Sequence, residues 1–414
     1  MAFSSVYNLI FKVGEDMDVF VYTKDACPWC VKIKEFLDGN GIEYETVDLS
    51  DDDERQLFYK KHGVNTVPQV FVNDKRLGGY TDIIRKPEII LGPFIQRQKD
   101  TYVLDYKVPV EFAKKQNEVF WLADEIEVEK DVQDIMTNLT ESERHGVITV
   151  LKLFTLYELM AGDEYWGERV KNSFPRPDVR MMANSFSYFE INVHAPFYNK
   201  LNEALHLNTE EFYSDYVNDP TLKARMEFID SIVNDPDDLK SLAVFSMVEG
   251  AVLYSSFAFL KHFQSKGKNK LLNVVRGINF SVRDENLHCL GGSWLYKTLK
   301  QELADCDMLG DDKKRTDEIY GAAEQIFEHE SRVVDMIFEK GNIEGITKTQ
   351  MNNFIQSRIN ECLVNLGLEK LYKVGYNPIQ EWFYDSINSY AFHDFFTGIG
   401  NSYNRNWNES KFEW

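Results

Sequence analysis

Arg283-Asp284-Glu285-Asn286-Leu287-His288 decides how this 414-residue chain is read. Positions three apart on a helix share a face, so Glu285 and His288 send a carboxylate and an imidazole into the same space. Three other apolar helical stretches carry groups of the same kind. The run from Ala243 to Phe263 is almost wholly apolar and holds one carboxylate, Glu249, which is tolerable there only as a paired charge or a metal ligand. Phe189-Glu190-Ile191-Asn192-Val193-His194 supplies a second Glu and His, and Leu156-Tyr157-Glu158 a further carboxylate. Four helices with two single carboxylates and two Glu/His pairs make the donor set of a dinuclear iron or manganese site in a helical bundle.

Each of these choices has a plainer reading. A single Glu/His pair on a helix is commonly a surface pair, but four such sets on apolar helices are not explained that way. Asp163 and Glu164 compete with Glu158, which is preferred because Leu153, Leu156, Tyr157 and Met160 surround it. Cys289 points about 100 degrees around the helix from His288 and reads as a small buried hydrophobe. His62, His145, His206, His262, His329 and His393 lack a carboxylate at a telling spacing and are expected at the surface or as caps.

Composition narrows the function. A formal net charge of −21 argues against a nucleic-acid surface. Five cysteines, two of them in Cys27-Pro28-Trp29-Cys30, suit a reducing cytoplasm with one redox motif rather than a disulfide framework. Residues 1–14 lack the basic start, apolar block and cleavage site of a signal peptide. The apolar run 243–263 approaches a membrane span in length, but it carries Glu249 and three serines, so a buried bundle helix and no membrane are expected.

Val19–Thr23 reads as a buried strand leading into Cys27-Pro28-Trp29-Cys30 and an amphipathic helix, Val31–Leu37. The helix N-terminus lowers the pKa of the first cysteine, making Cys27 the nucleophile and Cys30 the resolving thiol. A zinc site would need a second cysteine pair, which is missing. A strand at 43–49, a helix at 52–62 and a strand at Gln69–Val72 continue the α/β pattern, with Thr66-Val67-Pro68 before the last strand and Gly78-Gly79-Tyr80-Thr81-Asp82 after it. On these residues the segment resembles a glutaredoxin, a thioredoxin-like fold. The resemblance implies a cis proline at Pro68, glutathione paired with the Thr66-Val67-Pro68 backbone, and Gly79, Thr81 and Asp82 at its γ-glutamyl end. Pro87 and Gly92 follow closely, so the family's final helix is expected to be short or absent.

After a connector, Phe112–Trp121 is helical in pattern, Thr140 and Glu143 form a capping box, and helices dominate to about residue 394. The order Phe120-Trp121, Glu158, Glu190 with His194, Glu249, then Arg283 to His288 resembles the radical-generating small subunit of class I ribonucleotide reductase, as does the glycine-rich end Phe395-Phe396-Thr397-Gly398-Ile399-Gly400-Asn401-Ser402-Tyr403. The expected organisation is multidomain: an α/β glutaredoxin domain (1–85), a linker (86–108), an all-α ferritin-like bundle (109–394) and a flexible tail (395–414).

The resemblance implies that Glu158, Glu190 and His194 hold one metal and Glu249, Glu285 and His288 the other. Asp284 would orient His194, and Trp121 and Tyr403 would relay a radical to a large catalytic subunit, where Phe412, Glu413 and Trp414 dock. It also implies a homodimer, ribonucleotide reduction for DNA synthesis, and a glutathione-recharged Cys27/Cys30 pair that re-reduces the large subunit. Glu190 and His194 are four apart where the family has three, so an extra residue is expected to be absorbed as a π-bulge. Four on from His194 is Tyr198, the family's radical tyrosine; seven on from Glu190 is Phe197, which forms no phenoxyl radical. A manganese pair could store the oxidant instead. The competing functions are a ferritin-like di-metal oxidase of an apolar ligand, and metal storage or redox sensing.

Overall fold

The structure is a computed structural model and describes residues 18–388; Tyr403, His393 and the tail 395–414 lie outside them. The chain divides into two compact units. One runs to Arg97 and adds Leu299–Gly310; the other comprises Gln98–Thr298 and the chain from Asp311.

In the first unit, β1 (Val19–Thr23), α1 (Pro28–Gly39), β2 (Glu45–Asp48), α2 (Asp52–His62), β3 (Gln69–Val72), β4 (Lys75–Gly78), α3 (Tyr80–Arg85) and α4 (Glu88–Leu91) follow in order. The sheet runs β2-β1-β3-β4, with β1 and β2 parallel and the other pairs antiparallel. Alternation along a strand sends neighbouring side chains to opposite faces. Val21 lies opposite Val70 and Phe20 opposite Phe71 in the register. Val19, Val21 and Val70 pack on Ile33 and Leu37 of α1, Ile83 of α3 and Ile90 of α4. Phe71 packs on Phe58 of α2, beside Cys27 and Cys30. Asp51 caps α2 by accepting the Glu54 N–H at 2.9 Å, which is worth about 1 kcal/mol. The expected short final helix is there as α4. Residues 86–97, read from sequence as part of a connector, fold with this unit because Ile90 completes the core and Ile95 N–H donates to the Glu302 carboxylate at 2.7 Å.

The second unit is all helix. Its elements are α5 (Lys107–Glu118), α6 (Glu141–Leu159), a π segment (Met160–Val170) into α7 (Lys171–Ser173), α8 (Pro177–Phe189), α9 (Ala195–Ala204), α10 (Glu210–Asn218), α11 (Pro220–Val233), α12 (Asp238–Met247), α13 (Tyr254–Lys261), α14 (Leu272–Asp305), α15 (Asp312–Ile337), α16 (Lys348–Asn365) and α17 (Pro378–Asn388). Helix α6 packs on α9 and α15, and α12 and α13 pack on α15 and α16. The capping box forms as read: Glu143 N–H donates to Thr140 Oγ1 at 3.2 Å and Thr140 N–H to Glu143 Oε2 at 2.9 Å. Among the described residues, one helical stretch, Asp238–Gly267, is long and apolar enough to cross a membrane, and its most apolar 18 residues are all buried within the protein. His262 departs from the expected surface position. It is buried between Phe259 and Phe263, and desolvation pushes its pKa down to about 3.

Candidate metal centre and dithiol site

Three of the four helices that bear the buried carboxylates are interrupted by π turns. Between α8 and α9 the segment Glu190–His194 is π-helical, and the Ala195 N–H reaches back five residues to the Glu190 carbonyl. The extra residue between Glu190 and His194 is absorbed there, as their spacing predicts. A second π segment, Val248–Val252, carries Glu249 between α12 and α13, and the segment beginning at Met160 follows Glu158 at once. Glu285 and His288, at the ordinary spacing of three, sit on the uninterrupted α14. π turns widen the helix locally and often occur at functional sites.

These turns and α14 converge. Glu158, Glu190, His194 and Glu285 form one buried set, and Glu190, Glu249, Glu285 and His288 another; within each set, one donor atom per residue lies within 4.8 Å of the others. Glu190 and Glu285 belong to both. His194 Nδ1 faces inward, 2.8 Å from Glu190, 3.4 Å from Glu285 and 3.6 Å from Glu158. His288 Nδ1 also faces inward, 2.5 Å from Glu190. Each outer nitrogen meets an acceptor, His194 Nε2 at Asp284 Oδ2 (3.2 Å) and His288 Nε2 at Gln116 Oε1 (3.1 Å). With Nε2–H donated outward, Nδ1 is in each case the nitrogen that would offer its lone pair to a bound cation. Asp163 and Glu164, the rivals of Glu158, are exposed.

Burial sets the electrostatics. Desolvation, then the neighbouring carboxylates, holds Glu158 and Glu249 well above the usual carboxylate range and lifts Glu285 to about 7. Burial also opposes ionisation of Glu190, but His194 and His288 outweigh it and keep this group well below its ordinary value. His194 is pulled well above its ordinary value because Glu190 and Asp284 outweigh desolvation. Both oxygens of Glu158 and of Glu285 are buried with no well-aligned hydrogen bond, and their near neighbours are the other acids and the imidazoles of the cluster. An uncompensated buried charge costs several kcal/mol, so such acids keep a proton or take a cation. Four carboxylates and two inward-facing imidazole nitrogens, once the protons they share are displaced, fit a pair of divalent cations, hard enough for oxygen and borderline enough for nitrogen.

Around the cluster, Trp166 Nε1–H donates to Glu249 at 2.6 Å, and Tyr157 lies 3.4 Å from the same carboxylate. Trp121 Nε1–H donates to Asp284 Oδ2 at 2.8 Å, so Asp284 joins Trp121 to His194 through one oxygen. Arg283, His194 and Trp121 overcome desolvation and keep Asp284 ionised. Tyr198 is buried with its ring stacked on Phe154 at 4.2 Å; desolvation and the Glu158 charge push its hydroxyl well above 10. Phe197 turns instead toward Trp121, ring centroids 5.5 Å apart. Sequence reasoning did not single out Trp166 and Gln116 as partners of the cluster. Gln116 had a signal: it lies four residues from Phe112 on the buried face of α5.

In the first unit, Cys27 caps α1 and its sulfur accepts the Cys30 N–H at 3.2 Å. Cys27 and Cys30 are joined as a disulfide. The Val67–Pro68 peptide is cis, and the Val67 carbonyl lies 3.8 Å from Cys27 Sγ. Gly78 has φ +123°, a conformation that side chains resist, and a Cβ at Gly79 would stand 3.1 Å from the Pro68 carbonyl oxygen. The two turns are therefore neighbours, with Thr66, Thr81 and Asp82 exposed beside them; Asp82 accepts the Gly79 N–H at 2.9 Å. Trp29 is half-exposed and packs on Tyr80 at 5.5 Å.

A helical bundle whose core gathers four carboxylates and two imidazoles defines the class of dinuclear-metal carboxylate proteins. The chain belongs to the ribonucleotide reductase small chain family, whose model matches residues 99–378, and it carries an N-terminal glutaredoxin domain, matched over residues 19–77. It is 27% identical over 316 residues to the ribonucleoside-diphosphate reductase small subunit of Dictyostelium discoideum, covering 72% of this chain and 85% of that one. Glutaredoxin 1 of Rickettsia typhi is 38% identical over 68 residues, 16% of this chain and 65% of that one. In fold the chain is similar to the dimanganese(II)-NrdF of Streptococcus sanguinis, with a TM-score of 0.59, 21% identity, and coverage of 69% of this chain and 98% of that one.

Proposed function

We propose that this chain is the radical-generating subunit of a class I ribonucleotide reductase, working with a separate catalytic subunit on ribonucleotides. Its own glutaredoxin domain draws electrons from glutathione to re-reduce the disulfide left there after each turnover. The observation that carries the reading is the hydrogen-bonded run Trp121–Asp284–His194 at the edge of the buried cluster. A storage site has no need of an oxidisable indole wired to a ligand. Glu158, Glu190 and His194 would hold one ion and Glu249, Glu285 and His288 the other, with Glu190 and Glu285 placed to serve both. When bound, a pair of iron or manganese ions supplies one-electron oxidising power from dioxygen or a reduced oxygen species.

The chain's residues then do defined work. Asp284 keeps His194 in one tautomer and holds the Trp121 indole N–H, so a proton has a fixed acceptor when Trp121 gives up an electron. Tyr198, fully buried with its hydroxyl beside Ser281, would keep a phenoxyl radical away from solvent. Tyr403 would carry the radical onward to the catalytic subunit. In the other unit, the backbone at Thr66, Val67 and Pro68 and the groups at Gly79, Thr81 and Asp82 would seat glutathione against Cys27. Tethering sets a local reductant concentration of roughly millimolar. A cytoplasmic homodimer agrees with this use, because the dithiol must be recharged in a reducing compartment.

The test is low-temperature electron paramagnetic resonance on metal-loaded protein activated in oxygen. The native chain gives a tyrosyl signal that Tyr198→Phe abolishes at unchanged metal content. A manganese multiline signal indifferent to the substitution would move the stored oxidant from Tyr198 to the metals, and a chain that holds no dinuclear metal would sink the reading altogether. For the first unit, Cys30→Ser is expected to accumulate a Cys27–glutathione mixed disulfide, seen by intact mass, and to lose dithiol-dependent disulfide reduction. Failure to form that adduct would remove glutathione from the proposal.

A further inference from the structure

Three cysteines lie outside the Cys27/Cys30 motif, and two of them meet. Cys289 on α14 and Cys362 on α16 are both fully buried, with their sulfurs 3.8 Å apart. The backbone between them is Gly250, in the π segment next to Glu249; a Cβ there would overlap both sulfurs. Cys289 adjoins His288. The two thiols therefore press from two helices on the one residue of that turn with no side chain, beside two of the proposed metal-holding residues. As packing alone, two small hydrophobes would serve. Contact between two thiols adds a chemistry that hydrophobes lack, because sulfurs 3.8 Å apart are already neighbours and a disulfide brings them to about 2.05 Å.

We propose that Cys289 and Cys362 form a second redox pair, a buried dithiol that reduces hydrogen peroxide reaching the core beside the metal site and becomes a disulfide. Cys289 sulfur attacks one peroxide oxygen; the S–O bond forms as the O–O bond breaks, and the leaving hydroxide takes a proton to become water. Cys362 sulfur then attacks the Cys289 sulfur; the S–S bond forms, the S–O bond breaks, and a second water leaves. Two thiols lose two electrons and two protons, and hydrogen peroxide gains them as two waters. The pair spares Trp166 and His288 from the same oxidant, and its own burial keeps glutathione from solvent away from it. This protective role rests on the reading of the carboxylate cluster as a metal site; the thiol chemistry does not.

The experiment exposes the full-length chain, metal-free and manganese-loaded, to hydrogen peroxide, then denatures it in acid, alkylates free thiols and maps peptides by mass spectrometry without reduction. The expected result in both forms is a peptide pair joined through Cys289 and Cys362 and lighter by two hydrogens, with Cys306 still alkylated. Cys362→Ser should leave oxygen adducts on Cys289 in place of the cross-link. The paired substitution Cys289→Ala/Cys362→Ala should show severalfold more oxidation of the Trp166 peptide in the loaded protein. Full alkylation of both cysteines in the native chain, at doses that oxidise Cys27 and Cys30 completely, overturns the proposal whether or not the variants fold. A cross-link that forms while Trp166 oxidation is unchanged in the double variant overturns the protective role and leaves the metal reading untouched.

Discussion

Glu190→Ala is expected to empty both metal positions, taking the chain from two bound ions to none by elemental analysis after equilibration with manganese or iron and desalting. Glu190 and Glu285 are the two residues common to both donor sets, and Glu190 lies nearer than Glu285 to the inner nitrogens of both His194 (2.8 against 3.4 Å) and His288 (2.5 against 3.9 Å). Its loss takes an oxygen donor from each ion and leaves both inner nitrogens without their nearest carboxylate. The metal-free protein should suffer as well. Glu190 is the carboxylate that stays ionised against its burial because the two histidines favour it, and breaking a buried charge pair costs roughly 3–5 kcal/mol. Glu158→Gln supplies the contrast. Burial and the Glu190 charge already hold Glu158 protonated in the metal-free chain, so a neutral amide should leave the metal-free thermal midpoint nearly unchanged while weakening one metal position. Two ions retained by Glu190→Ala would show that the donor sets are not shared as the geometry indicates.

Trp121→Phe is expected to reduce deoxynucleotide formation with the catalytic subunit to background while metal content and the radical signal remain. Trp121 is buried, it donates to Asp284, and its ring lies 5.9 Å from that of His194. Phenylalanine fills most of the same volume but has no N–H to give and is much harder to oxidise, so the run from Asp284 ends without a redox partner. Folding is not the expected point of failure, since the ring still packs on Phe197 and Phe280; the orphaned oxygen of Asp284 retains His194. Comparing turnover, metal stoichiometry and radical yield in one preparation separates a broken relay from a broken cluster. Normal turnover in Trp121→Phe would move the relay to other residues.

Much of this was legible in the chain because it depends on near neighbours. Val19–Thr23 and Gln69–Val72 form strands, and Asp52–His62 a helix, at the residues expected, since apolar alternation and caps are local features. The six cluster residues announced themselves as acids and imidazoles in apolar helices, where isolated burial is too costly to be accidental. The π turn at Glu190–His194 could be foreseen from one residue too many between two groups that must share a face. Strand β4, Lys75–Gly78, gave no such signal: it is short and carries exposed Lys75 and Arg76, so pairing with β3 decides it rather than its own pattern.

What sequence could not supply was every distance across helices far apart in the chain. That Glu190 and Glu285 are shared, that Tyr198 turns to Phe154 and Phe197 to Trp121, that Trp166 and Gln116 hold the cluster from outside, and that Cys289 meets Cys362 over Gly250 are results of helix packing. Residue type and spacing determine what a helix face can offer. Only the packed core, where the crossing of helices and the widening of π turns fix each side chain to within a few ångströms, decides which faces meet.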